Sequence, residues 1–418
     1  MKGEDRLLVT IMGQKRPIQS LWLRDVCNCP RCVDPDSGQK NFSTTEIADE
    51  LTLSYQVGEN GDMTVVWQND GPTGGGDHTS VYTAEYLQLF LSPGLRLSPL
   101  RNTLWDRSTY QQKFLDSGAC RVSYKDWLHD EAAFWAGFEK LCETGLVFVT
   151  DVPEGSEHEV EKIANRIGIL QHTFYGFTWD VRSKPQAENV AYTNVFLGLH
   201  QDLMYHDPIP RLQLLHCIEN SCEGGESLFS DGFRAAYEMK VAHPDKYGTL
   251  TRTKPRFYYN KGGHHYEKTR NTIETARKEV VATRWAPPFQ GRYGVARENP
   301  EAMAEWKRAA TVFEKNISAE KNMLEVKLRP GECVIFDNWR ILHGRREFKT
   351  ATGSRWLKGT YVSEQVYKAM KLRLQERRGL TAEGPIRHAP KPAEYYANQA
   401  RAFLKAGEEA KAGEETTE

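Results

Sequence analysis

"GLHQDLMYHDP", residues 198–208, sets His200 and Asp202 two positions apart among apolar and aromatic neighbours. On an extended segment residues i and i+2 project to the same face, so the pair offers one imidazole nitrogen and one carboxylate oxygen to a single ion. Taken alone, such a pair is more often an ordinary capped or solvated set of polar residues. A stretch far downstream changes the reading: "FDNWRILHGRREF", residues 336–348, places His343 just after a strongly apolar strand, 141 residues past Asp202. Two histidines and one carboxylate on one face of an octahedron describe a non-haem Fe(II) site with open positions. Arg355 follows twelve residues later at the start of another strand, with a guanidinium suited to a bidentate carboxylate contact.

Outward from these stretches, "RLQLLHCIE" (211–219), "ECVIFDNW" (332–339) and "RWLKGTYV" (355–362) read as strands, with helical segments around 233–242 and 301–316. In "VSYKDWLHDEAAFWAGFEKLCETG" the residues Trp127, Phe134, Phe138 and Leu141 recur at helical spacing and Gly145 is a stop signal, so a helix leads into a strand at 146–150. A β core with flanking helices fits this order better than a regular βαβ alternation. The expected class is α+β.

At 418 residues the chain exceeds the usual size of one domain. Residues 1–95 alternate short β-like stretches with turns at Gly58, Gly61 and "GPTGGGD", which suggests a small β-rich module. The proline-containing stretch at 91–102 lies at its end; the expected linker is 96–118, the main domain 119–380 and the tail 381–418. The end of that tail, "AGEEAKAGEETTE", nearly lacks large apolar side chains and is expected to be disordered.

A formal net charge of −1 supplies no overall basic field for nucleic acid or anionic membrane, which favours a small-molecule partner. Apolar runs such as "GLVFVTDV" are far shorter than the roughly 20 residues needed to cross a bilayer. The N-terminus has early acidic residues and no apolar signal core, so the expected location is cytoplasmic.

The eight cysteines are unevenly placed, and not as a secreted disulfide framework. Cys27, Cys29 and Cys32 fall within six residues and can converge on one ion from a tight turn, with His78 in "GGGDHTS" as the fourth ligand. Four protein ligands leave no position for water, so a zinc ion there would staple the module rather than catalyse.

With these motifs in hand, the chain resembles the iron(II)/2-oxoglutarate-dependent oxygenases of the taurine dioxygenase superfamily. Within it, the chain is most similar to the γ-butyrobetaine dioxygenase and trimethyllysine dioxygenase family. The likeness spans about residues 8–370 and is carried by "LWLRDVCNCPRC" with His78, "TFYGFTWDV", "ENVAYTN", "HQD", "LQLLHCIENSCEGGESLFSDGF" and "VIFDNWRILHGRREF". It implies a double-stranded β-helix, or jelly-roll, catalytic core with flanking helices beside the N-terminal zinc-binding domain. It further implies iron on His200, Asp202 and His343, Arg355 on the distal carboxylate of 2-oxoglutarate, and a helper hydroxyl at Ser227. Dioxygen would be the other co-substrate. Oxidation would yield succinate and carbon dioxide and place a hydroxyl on an unactivated carbon.

The family encloses a trimethylammonium group, which has no N–H to donate, within aromatic faces. Tyr175, Trp179, Tyr192 and Tyr361 match those positions, and Asn189 matches a residue that helps bind the substrate carboxylate. Without the resemblance these aromatics would read as core residues. A second asparagine expected near 285 is replaced by "TRWAPPFQG", where Arg284 and Trp285 are alternative carboxylate-binding candidates. The reading is hydroxylation of a quaternary ammonium acid, γ-butyrobetaine to L-carnitine foremost and trimethyllysine second, by a homodimer. The contrasting class is a zinc-stabilised interaction protein carrying an inactive barrel.

Overall fold

The structure is a computed structural model that describes residues 6–11, 14–84, 86–87, 101–182, 194–291, 300–377 and 396–406. The chain divides into two compact units, residues 1–99 with 375–388 and residues 100–374 with 389–418.

In the smaller unit β1 (Arg6–Ile11) pairs antiparallel with β2 (Gln14–Gln19). A three-stranded antiparallel sheet follows, made of β3 (Thr52–Val57), β4 (Met63–Gln68) and β5 (His78–Tyr82). Along β4 the side chains Met63, Val65 and Trp67 are buried while Thr64 and Gln68 are exposed, the period of two that a one-sided strand requires. They pack with Val9, Ile18, Leu23 and Tyr82 into a core of their own.

The larger unit adds the remaining strands in chain order. These begin with β6 (Arg121–Ser123), β7 (Leu146–Thr150), β8 (Thr178–Arg182), β9 (Leu197–His200) and β10 (Leu212–Asn220). The short β11 (Glu223–Gly224) and β12 (Ser227–Asp231) precede two hairpins, β13 (Arg256–Lys261) with β14 (His264–Thr269) and β15 (Ile273–Ala276) with β16 (Glu279–Thr283). Last come β17 (Met323–Val326), β18 (Glu332–Asp337), β19 (Ile341–Arg345), β20 (Phe348–Lys349, paired with β11) and β21 (Arg355–Val362).

Ten of these strands form two sheets, in the orders β6-β7-β18-β10-β21-β8 and β17-β12-β19-β9. Both bury residues in one core, where Phe229 of the smaller sheet meets Phe336 of the larger at 5.7 Å between ring centroids. Apart from β6 and β7, every neighbouring pair in the two sheets is non-consecutive in sequence, and with the sheets packed face to face this is the jelly-roll expected.

The helix over Glu131–Thr144 begins where the Asp130 side chain accepts from the Ala133 amide and stops at Gly145, whose φ of 80° is left-handed. Its Phe134, Phe138 and Leu141 face the large sheet's core. Among the described residues no helix is long and apolar enough to cross a membrane.

Two boundaries differ from expectation. Residues 101–118, read as linker, belong to the larger unit: Trp105 donates to the Thr144 carbonyl at 2.7 Å, Tyr110 to the Leu146 carbonyl at 2.6 Å, and Phe114 is buried beside them. Three aromatic side chains set five and four residues apart are too apolar to leave in water, and the turn signals upstream masked them. Residues 396–406, assigned to the tail, are helical, with Tyr396 stacked on Tyr237 at 4.7 Å and Ala400 buried. Of the end expected to be disordered, 406–418, Ala406 closes this helix and 407–418 lie outside the described residues.

Candidate active site and metal centres

His200 closes β9, and its Cα partner across the ladder is His343 on β19, with ring centroids 4.3 Å apart. Pairing two strands thus erases a sequence separation of more than a hundred residues. Gly344 permits it: a Cβ there would meet the Leu197 carbonyl at 2.6 Å. Asp202 follows directly, its Oδ1 lying 3.3 Å from His200 Nε2 and 3.9 Å from His343 Nε2. The three ligand atoms all lie within 4.8 Å of one another.

The surroundings fix these groups in the state a metal needs. His200 donates its Nδ1–H to the Gly198 carbonyl at 2.9 Å, which leaves Nε2 as the free lone pair. Burial and the neighbouring His200 push His343 down to about 3, so its imidazole stays neutral. Burial opposes ionisation of Asp202, but the two imidazoles packed against it, His200 and His343, and the hydrogen bond from the Tyr361 hydroxyl hold it well below the usual carboxylate range. Tyr361 donates to Asp202 Oδ2 at 2.8 Å, leaving Oδ1 for the centre.

Residues beyond the triad hold Asp202 in place, and these were missed in the sequence. The Asn338 side chain accepts from the Asp202 amide (2.8 Å) and donates to its carbonyl (3.0 Å). Gln201, the middle residue of the motif, points the other way and donates to the Asn338 carbonyl at 2.7 Å. Arg340 is buried against Asp231 and also donates to the carbonyls of Glu143 and Thr103. The available signal was the run of polar residues, Asp337, Asn338 and Arg340, inside an otherwise buried strand pair, since buried polar groups are there to be bonded.

One cavity of about 840 Å3, counted out to its open mouth, is lined by His200, Asp202 and His343. Arg355, Ser227, Tyr175, Trp179 and Tyr361 line it too. Arg355 is buried, makes no ion pair among the described residues, and its Nε has no hydrogen-bond partner there. Burial lowers its pKa. A buried guanidinium without a counter-charge is costly, so the wall facing it suits an anion such as a 2-oxoglutarate carboxylate. Trp179 and Tyr361 stack at 4.1 Å, with Tyr175 6.2 Å from Trp179. Gly359 makes room for them: a Cβ there would lie 2.5 Å from the Trp179 ring.

Arg345, Tyr205, Leu203, Pro288 and Phe289 also line the cavity without having been anticipated. Arg284 and Trp285 do not line it. Arg284 is buried against Glu274 at 3.0 Å, and Trp285 packs on Phe313 in a second core, so the carboxylate-binding role entertained for them is withdrawn. Asn189 and Tyr192 lie outside the described residues.

In the smaller unit, Cys27, Cys29 and Cys32 come from the turn after the Ser20–Asp25 helix, while His78 opens β5. Their sulfurs stand 3.4, 3.7 and 3.5 Å from His78 Nε2. A tetrahedron with Zn–S near 2.3 Å and Zn–N near 2.0–2.1 Å has S···N edges of about 3.6 Å, so the donor set fits zinc. Burial and the neighbouring Cys27 push the Cys32 thiol up to about 12, so a dication is what would let the three sulfurs converge as thiolates. Arg24 sits behind them, 3.4 Å from Cys32 Sγ and bidentate on Asp70 at 2.6 Å. Ser80 donates to Cys27 Sγ at 3.0 Å.

A jelly-roll whose smaller sheet presents a His-x-Asp…His triad beside a buried, uncompensated arginine defines an iron(II)- and 2-oxoglutarate-dependent dioxygenase. The family model for the taurine catabolism dioxygenase TauD, TfdA family, matches residues 108–361. The chain belongs to that family. It is 32% identical to the dioxygenase str8 of Strobilurus tenacellus, over 86% of this chain and 85% of that one. It is 29% identical to the γ-butyrobetaine dioxygenase of a Pseudomonas species (84% and 88% covered). It is 27% identical to the mitochondrial trimethyllysine dioxygenase of Mus musculus (86% and 83% covered). The reading of the chain as an interaction protein with an inactive barrel is set aside.

Proposed function

We propose that this dioxygenase hydroxylates a trimethylammonium carboxylic acid, with γ-butyrobetaine to L-carnitine as the leading reaction. The observation that carries the reading is that Tyr175, Trp179 and Tyr361 line the same cavity as His200, Asp202 and His343. Asp202 is the sole acid among the described lining residues and belongs to the metal triad, so aromatic faces are what remains to hold a cation. The relatives named for γ-butyrobetaine and trimethyllysine support the same substrate class.

In this reading His200, Asp202 and His343 hold iron(II), Arg355 pairs with the distal carboxylate of 2-oxoglutarate, and Ser227 adds a hydroxyl to that subsite. When bound, iron and 2-oxoglutarate supply the oxidising chemistry that couples dioxygen to succinate, carbon dioxide and a new C–OH. The aromatic rings fix the cation, and the buried walls exclude water, so that one methylene of the substrate faces the metal. Tyr361 links the two tasks, since its ring is stacked in the cage and its hydroxyl is bonded to Asp202. Cys27, Cys29, Cys32 and His78 hold a structural zinc.

A second substrate, trimethyllysine, is favoured by one observation: the segment that should carry the second carboxylate-binding asparagine has Arg284 and Trp285 instead, neither of which lines the cavity. Succinate release measured across γ-butyrobetaine, trimethyllysine and other quaternary ammonium acids separates the two, and silence on every one rejects the cage. The homodimer and the cytoplasmic location expected from the sequence belong to this proposal, tested by sedimentation and by cell fractionation.

A further inference from the structure

We infer that Phe348 is a positioning residue of the anion subsite: its ring holds the Arg355 guanidinium in the cavity wall without occupying the N–H donors that a bound carboxylate needs. The inference rests on the proposed role of Arg355 toward 2-oxoglutarate.

Three other buried arginines of this unit show a different way of keeping such a charge. Arg234 is bonded to Glu238 at 2.6 Å, Arg284 to Glu274 at 3.0 Å and Arg340 to Asp231 at 2.8 Å. Arg355 is 7% exposed and has no carboxylate at ion-pairing distance among the described residues. What it has is a ring. Its Cζ lies 5.8 Å from the centroid of Phe348, within cation–π range, and Arg345 shares the same ring at 4.8 Å. Gly225, at a φ of 74°, packs against the same stem: a Cβ there would come to 3.2 Å from Arg355 Cδ, 3.3 Å from its Nε and 3.4 Å from Phe348 Cβ. An edge set against a glycine backbone meets no acceptor, which explains why Nε is buried without a hydrogen-bond partner.

The ring is itself held firmly. Phe348 is 4% exposed, β20 pairs it with Gly224, and its amide donates to the Asn194 carbonyl at 3.1 Å while its own carbonyl accepts from the Asn194 side chain at 3.3 Å. A carboxylate in its place would compete with the ligand for the fork of guanidinium donors. An aromatic face attracts the cation through its quadrupole and engages none of them. The ring thus offsets part of the cost of burying the charge and leaves the bidentate edge open to an incoming anion. Leucine would fill the space without that attraction.

The test is anaerobic equilibrium binding of 2-oxoglutarate to the iron(II)-loaded full chain, with Phe348→Leu and, in a second set, with Phe348 replaced by phenylalanines bearing successively more ring fluorines. Phe348→Leu should weaken binding by about threefold to thirtyfold. Fluorine drains negative charge from the ring face and barely alters its shape, so affinity should fall stepwise along the series while the melting temperature holds. Arg355→Gln should by itself weaken binding by about hundredfold, and in that background the fluorinated series should be flat. Fluorinated proteins that bind as tightly as the wild type, or a slope that persists in Arg355→Gln, overturn the inference while Arg355 keeps its role. Wild-type affinity in Arg355→Gln alone removes that role and the inference with it. Should Phe348→Leu fail to fold, the fluorinated series decides.

Discussion

The two metal clusters of this chain are built on opposite plans. In the smaller unit three of four ligands come from one turn of six residues, and the fourth is delivered by a strand some fifty positions on. In the larger unit two ligands sit on one strand end, and the third arrives by cross-strand pairing from far along the chain. The first set is complete, with four donors, and its charge is balanced from behind by Arg24. The second stops at three donors and opens onto a cavity. Four ligands close a coordination sphere and make the ion a cross-link, whereas three leave positions for reactants.

The largest effects should come from removing a ligand at each site. His200→Ala should take 2-oxoglutarate turnover to background while metal analysis still finds one zinc per chain. Cys32→Ser should release the zinc and abolish the first thermal transition of the smaller unit, because structural zinc contributes about 10 kcal/mol or more to such modules. Retained zinc in the serine variant would break the contrast.

Next comes the charge behind the cysteines. Arg24→Met strands Asp70, an acid whose side chain is 1% exposed, and should destabilise the smaller unit by about 3–5 kcal/mol in denaturant melts. At the open site the corresponding support is lighter. Tyr361→Phe removes only the hydrogen bond to Asp202 and should weaken iron binding by about tenfold to hundredfold with the fold intact.

The smallest effect sharpens the catalytic side alone. Gly359→Ala would drive a methyl into the Trp179 indole, displacing it from Tyr361, and should raise KM for the trimethylammonium acid by about tenfold. KM for 2-oxoglutarate should hold steady. A parallel rise in both would mean that the substitution distorts β21 as a whole.

Local clusters were legible in the sequence. Three cysteines in six residues announce their purpose, and His-x-Asp on a strand announces half of its own. The helix ending at Gly145 and the strands at 332–337 and 355–362 were readable because period, cap and stop signal agree. The main linker error arose where aromatic burial overrode turn chemistry, at Trp105, Tyr110 and Phe114. Arg284 misled for the opposite reason: a charged side chain near an expected binding position was already paired with Glu274.

By itself, then, the order of residues determined which groups could coordinate a metal, which segments would be strands, and which family the chain is similar to, because donor type, periodicity and motif spacing are local properties. Only the tertiary structure decided that His343 faces His200, that Asn338 clamps Asp202 and that Gly359 admits Trp179. Each of those depends on strand register and on close approach between distant segments. Register is set by the burial of whole sheet faces, a sum over many residues that no short stretch contains.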